Sequence, residues 1–265
     1  MSGKRLKEKL TAGEPVFGTF FQYTTNPAVV QILPTRGLDF VIVNTEHNHL
    51  DLADFLPLAW ALRARDIACL VRLHNRDADD VARACDAFPD GVVVPYVEDA
   101  AELRRLVAAA KCRPLKGAAL EQVLAGGDFP SPKSRAYIDD KCANTFFCAM
   151  IESVHAVENL EAICAVPGID ALLIGPNDLT VSMGIPEERD HPDFVRMTQR
   201  IIDMAAARGI AAGAHFSQLD HAKRLIAQGA RFIPFSSDLR LLQRGIPEFL
   251  DALGAAAGMS KEQPI

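Results

Sequence analysis

Four short apolar runs of this chain each end in residues able to do chemistry. Run 40–46 passes through Asn44-Thr45-Glu46 into His47, and run 68–73 closes on Val71-Arg72-Leu73 before His74. Run 145–152 closes on Ile151-Glu152, and run 169–176 leads through Gly175-Pro176 into Asn177-Asp178. Two carboxylates at strand ends, Glu152 and Asp178, suit a hard divalent cation whose octahedron is completed by water. Arg72 offers a fixed charge for an oxyanion as it develops. His47 is the candidate general base, because imidazole titrates near neutrality. A helix opening after Gly175-Pro176 would present the backbone N–H groups of Asn177 and Asp178 as a carboxylate or phosphate cradle.

Each group also has a plainer reading. Glu152 shares its period-2 row with Phe146, Cys148 and Met150, so it faces the same side as an apolar row. A carboxylate there needs a partner, which a salt bridge to an arginine would supply. Asp178 could be a first-turn acid beside a helix N-terminus. Arg72 could form a structural ion pair with Glu46, which is compatible with catalysis. A zinc pair from His47 and His49 has too few neighbouring ligands to be specific. The site reading rests on the groups occurring together.

Eight runs are short, nearly continuous and often β-branched: 16–22, 40–46, 68–73, 91–97, 145–152, 169–176, 210–216 and 231–236. Parallel strands buried on both faces read this way. Helical patterns lie between them at 27–36, 52–65, 78–87, 100–110, 157–165, 192–208 and 218–228, with Gly37, Gly168, Gly209 and Gly229 at helix ends. The leading architecture is an α/β fold, a (β/α)8 TIM barrel formed by residues 1–265 as one domain. Barrel chemistry sits at the C-terminal ends of the strands, where the four clusters fall. An open doubly wound sheet is the runner-up, but no strand feeds a G-x-G-x-x-G turn and there is no Walker loop. Residues 116–144 break the rhythm and read as a long loop, a lid or a subunit contact.

With 28 Lys+Arg against 34 Asp+Glu, the net charge is −6. That balance argues against nucleic acid or an anionic membrane as partner. No apolar run approaches the ~20 residues of a bilayer span, and residues 1–10 lack the apolar core of a signal peptide. A cytoplasmic location is the expectation. The six cysteines, at 69, 85, 112, 142, 148 and 164, have neither zinc-ribbon nor redox-motif spacing and read as structural.

The chain resembles the class II (metal-dependent) pyruvate aldolases of the 4-hydroxy-2-oxoheptanedioate and 2-dehydro-3-deoxyglucarate aldolase family, from about residue 10 to 253. The resemblance rests on Gly18-Thr19-Phe20, Gly37-Leu38-Asp39-Phe40, Glu46-His47, Val71-Arg72, Val94-Pro95, Ile151-Glu152-Ser153 and, above all, Ile174-Gly175-Pro176-Asn177-Asp178-Leu179. It implies a phosphoenolpyruvate/pyruvate-type barrel whose last helix is exchanged between subunits of a homo-oligomer, a hexamer or else a trimer or dimer. It implies a divalent metal (Mg2+, Mn2+ or Co2+) on Glu152 and Asp178, with His47 as base and Arg72 steadying the enolate oxygen. Asp86 matches an aspartate that raises the histidine's basicity across a subunit interface. Gly175, Pro176, Asn177 and Asp178 match the segment that binds the substrate carboxylate. The implied reaction cleaves a 4-hydroxy-2-oxo acid to pyruvate and an aldehyde.

Departures from the family pattern fall on the aldehyde side. Asn44-Thr45 stands where close relatives have Asp-Gly, Met150 replaces a glutamine, and Lys116-Gly117 replaces Arg-Gly. Gln22-Tyr23 and His215 also differ from the commonest forms. Two rivals follow: other enolpyruvate chemistry on the same barrel, such as decarboxylation or mutase chemistry, and a non-catalytic homologue that binds an oxoacid.

Overall fold

Runs of Val, Ile, Phe and Ala too short for a helix bury both faces only inside a sheet covered by helices. The computed structural model describes residues 2–34, 37–88 and 90–258. Its strands are β1 (Val16–Phe21), β2 (Phe40–Asn44), β3 (Ala68–Arg72), β4 (Gly91–Val94), β5 (Phe146–Ile151), β6 (Ala171–Ile174), β7 (Ala211–Ala214) and β8 (Phe232–Ser237). Each lies on one of the eight apolar runs. All pairings are parallel and follow chain order from β1 to β7, with β8 beside β1. Backbone bonds from Arg231 N to Ala212 O and from Ser236 N to Phe216 O, both 2.9 Å, bring β8 against β7. The sheet is therefore a (β/α)8 barrel and not an open one.

The helices are α1 (Gly3–Thr11), α2 (Leu52–Ala64), α3 (Ala78–Ala87), α4 (Ala100–Lys111), α5 (Gly117–Leu124), α6 (Pro132–Lys141), α7 (Val154–Glu158), α8 (Leu160–Cys164), α9 (Pro176–Ser182), α10 (Pro192–Ala207), α11 (Leu219–Ala227) and α12 (Asp238–Ala256). Three expectations are corrected. Residues 116–144 are not one loop, for they hold α5 and α6. Only Ile138 of those two helices is buried, so no apolar stripe marked them. The helix expected at 27–36 is a 3-10 turn, Pro27–Ile32, and Arg36 lies outside the described residues. The pattern at 157–165 is split between α7 and α8.

One apolar layer fills the space between strands and helices, and a second fills the barrel. The inner layer includes Phe40, Ile42, Leu70, Val93, Phe146, Cys148, Met150, Leu173 and Phe232. Phe40 and Phe232 stack with centroids 4.5 Å apart. Helix α1 supplies Leu6, fully buried beneath this layer. Full burial of one such side chain is worth roughly 1.5–3 kcal/mol. Gly3 lets α1 approach, since a Cβ there would lie 1.9 Å from the Asn144 carbonyl oxygen. The N-terminal end of the barrel is thus closed by side chains. Among the described residues no helix is long and apolar enough to cross a membrane.

Candidate active site

The inward row of β5 runs Phe146, Cys148, Met150, and the next member is Glu152, which is only 2% exposed. Its carboxylate is held on two sides. Oε2 accepts from the Tyr96 N–H at 2.8 Å, and Oε1 accepts from Arg72 Nη2 at 3.3 Å. Tyr96 has φ 49°, a left-handed conformation costly for a tyrosine, and in it the residue donates its amide to that oxygen. Burial pushes the Glu152 carboxyl up to about 7, against the opposing pull of Arg72 and the Tyr96 amide.

Arg72 closes β3 and is almost fully buried. Register pairs it with Asn44 of β2, and its Nη2 also contacts Glu46 in a short ion pair. The structural ion pair and the site are therefore one arrangement: a guanidinium shared between Glu46 and Glu152. Asn44 is buried, and its Oδ1 accepts from the Glu46 N–H at 3.3 Å. His47 stands at the rim with its side chain 57% exposed, Nε2 3.6 Å from Glu46 Oε2.

Gly175 ends β6 and caps α9, with Pro176 as the first helical residue. Proline has no N–H to lose there, so the donors left facing outward are the Asn177 and Asp178 amides. Neither donates to an acceptor among the described residues. The Asn177 side chain is engaged by Arg189 Nη2 at 2.5 Å, and Arg189 pairs with Glu187 at 3.2 Å. Asp178 makes no ion pair among the described residues. A Cβ at position 175 would lie 2.4 Å from Glu152 Oε1, so glycine is what lets α9 and the Glu152 carboxylate share this corner.

His47, Arg72, Glu152 and Gly175 to Asp178 all line one cavity of about 590 Å³ at the C-terminal ends of the strands. Asp86 does not join them. It lies in the last turn of α3, exposed, and pairs with Arg113 Nη1 at 2.7 Å. Arg113 is bonded in turn to Thr145 Oγ, which directly precedes β5, at the opposite end of the barrel. Within one chain, Asp86 cannot reach His47.

The fit to a metal can be tested on these residues. Among the described residues no group of three or more His, Cys, Asp or Glu side chains could hold a metal ion. The zinc alternative for His47 and His49 therefore lacks ligands. Two carboxylates beside an open, polar cavity form an all-oxygen donor set, and a hard cation that keeps water or substrate oxygens needs no more. Glu152 and Asp178 fit such a cation.

Other residues came into the cavity without being singled out as site residues. The side toward β7, β8 and β1 carries His215, Arg240, Gln243, Gln22 and Tyr23. His215 donates from Nε2 to the Ser236 carbonyl at 2.9 Å and packs on Phe20 with centroids 4.5 Å apart. Burial, with Arg72 and Arg240 nearby, lowers its pKa to about 4, against the raising effect of the Ser236 bond. It is a neutral imidazole at pH 7. The signal was the one used elsewhere, a polar residue ending an apolar run.

The family model for HpcH/HpaI aldolase/citrate lyase matches residues 18–244. A 5-keto-4-deoxy-D-glucarate aldolase from Enterobacter sp. (strain 638) is 27% identical over 251 residues, covering 94% of this chain and 96% of the relative. An HpcH/HpaI aldolase from Desulfitobacterium hafniense DCB-2 superposes with a TM-score of 0.82 at 27% identity, over 98% of this chain and 99% of that one. A family protein from Burkholderia cenocepacia J2315 gives 0.80 at 26%, over 94% and 99%. Together with the barrel and the acidic, arginine-bearing mouth, the match places this chain in the HpcH/HpaI aldolase/citrate lyase family, as an aldolase acting on a carbon–carbon bond.

Proposed function

We propose that the chain, as one barrel domain spanning residues 1–265, cleaves a 4-hydroxy-2-oxo acid to pyruvate and an aldehyde, using a divalent cation on Glu152 and Asp178. The observation that carries this reading is the buried Arg72–Glu152 pair at a mouth that also holds Asp178, which makes no ion pair among the described residues. Mg2+, Mn2+ and Co2+ all suit two carboxylates and an open cavity. When bound, the cation acts as a Lewis acid that lowers the cost of enolate formation.

The chain's own residues supply the rest. The Asn177 and Asp178 amides hold the substrate carboxylate at the α9 N-terminus. His47 takes the proton of the C4 hydroxyl. As the C3–C4 bond breaks, its electron pair passes to the enolate, and Arg72 holds charge at the developing oxygen. Return of that proton from His47 to C3, directly or through water, then gives pyruvate and regenerates the base. Asp86 would assist His47 only from a neighbouring subunit. Helix α12 supports that assembly, since it exposes Leu241, Leu242, Ile246, Phe249, Leu250 and Leu253 and buries no residue. Exchange of this helix between copies would cover the stripe.

The test is pyruvate release from a panel of 4-hydroxy-2-oxo acids by chelated and metal-restored enzyme. Release that returns with a divalent metal and is lost in Glu152→Gln supports the reading. Chelator-insensitive turnover would overturn it.

A further inference from the structure

The cavity has two sides, and only one is committed by the proposed reaction. Glu152, Asp178 and the α9 amides lie along β5 and β6, where the pyruvate portion would sit. The aldehyde portion is left the arc formed by β7, β8 and β1, and on that arc His215 is the side chain with the most constrained chemistry.

A carbonyl oxygen only accepts, so the 2.9 Å contact with Ser236 O places the ring hydrogen on Nε2. Nδ1 is then a bare acceptor. Ser236 is held at φ 60°, and its carbonyl also accepts from Thr19 Oγ at 3.3 Å. Phe20 packs against the ring face. Ring orientation and tautomer are therefore both fixed. Nδ1 has no hydrogen-bond partner among the described residues, yet it is not sealed away from solvent. In a residue that lines the cavity, that leaves the lone pair open to the cavity. Burial, with Arg72 and Arg240 nearby, biases the ring toward its uncharged form. An uncharged acceptor suits a neutral donor, and a hydroxyl is the donor an aldehyde can carry.

We propose that His215 is a specificity-determining residue, whose Nδ1 accepts a hydrogen bond from a hydroxyl on the aldehyde fragment, so that the enzyme selects hydroxylated over alkyl aldehydes. The inference rests on the aldolase reading above. Its physical basis is asymmetric: an alkyl group in the same place leaves a polar atom unpaired on binding, which costs more than the bond gains in water.

The test compares pyruvate addition to glycolaldehyde and to propanal, which differ by hydroxyl against methyl. The wild type should favour glycolaldehyde in kcat/KM by about tenfold or more. His215→Gln can still donate an amide N–H to Ser236 but offers no acceptor at the Nδ1 position, so the preference should fall about tenfold. His215→Asn returns an amide oxygen near that position and should keep most of it. Exchange of pyruvate methyl protons for deuterium, which needs no aldehyde, should persist in wild type and both variants and reports on the pyruvate side separately from the preference. A wild type without preference, or a His215→Gln variant that keeps it, overturns the proposal while exchange upholds the parent reading. A metal-loaded wild type that catalyses neither exchange nor addition overturns both. Should His215→Gln fail to fold, the wild-type ratio and His215→Asn still decide.

Discussion

Gly175 lies against Glu152 so closely that a single added methyl would sit 2.4 Å from Oε1 and 2.7 Å from Cγ. The φ of Gly175 is −91°, which any residue can adopt. Glycine is required here for space and not for backbone freedom. Gly175→Ala should therefore fold but push the carboxylate off its seat. We expect metal affinity and kcat to fall at least about tenfold, with misplacement of one group by about 1 Å able to cost about 10². Isothermal titration with Mn2+ and a thermal melt separate the two effects; a lowered melting temperature with metal affinity intact would contradict the steric account.

Arg72 is shared between Glu46 and Glu152, so its removal leaves two acids without their cation. Arg72→Ala should lower kcat by about 10²–10³ if its main action is on the developing oxyanion. Arg72→Lys should not restore it, because a shorter, strongly hydrated ammonium does not reproduce the reach and delocalised charge of the guanidinium whose Nη2 meets both acids. A change confined to KM would assign Arg72 to uniform substrate binding.

Asn44 stands two residues before Glu46, and its side chain accepts from the Glu46 backbone amide. Asn44→Asp adds a negative charge near the rim on which His47 stands. A nearby anion favours imidazolium, so the acidic limb of the kcat/KM profile should move to higher pH. A limb that stays put in a folded, metal-loaded variant would restrict Asn44 to tying β2 to its own turn.

Asp238 opens α12 and accepts from the amides of Gln22, Tyr23, Thr24 and Leu239 at 2.8–3.1 Å. Burial raises its carboxyl, but these donors outweigh burial and the net pKa is lowered. A lowered native pKa gives stability that is present above the unfolded-state value and lost as pH falls through the native one. Asp238→Asn should thus cost about 1 kcal/mol at neutral pH. The gap from wild type should close toward pH 3, as read by urea denaturation at both pH values.

The strands were legible because both of their faces are buried, so nearly every residue from Phe40 to Val43 or from Phe146 to Ile151 is apolar. The same rule foretold that Glu152 would share the row of Phe146, Cys148 and Met150. Helix α1 was not legible, since Lys4, Arg5, Lys7, Glu8 and Lys9 surround the one leucine that matters. Helices α5 and α6 bury almost nothing and left no stripe. The clash that demands Gly175 depends on a carboxylate 23 positions away in sequence, which no local pattern encodes. Asp86 carries no mark of its place either: only the folded chain puts it beside Arg113.

Leu6 and the phenylalanine layer above it have a kinetic consequence. A barrel stoppered at one end has a single door, and whatever enters must leave past whatever entered later. Glu152 sits deep, while His47 stands on the threshold. On the proposed chemistry, the fragment held deep is pyruvate and the one nearer the door is the aldehyde. Release is then ordered, aldehyde first and pyruvate last, and in the synthetic direction pyruvate must bind before its partner. The plug at the far end of the barrel thereby sets the sequence of events at the mouth.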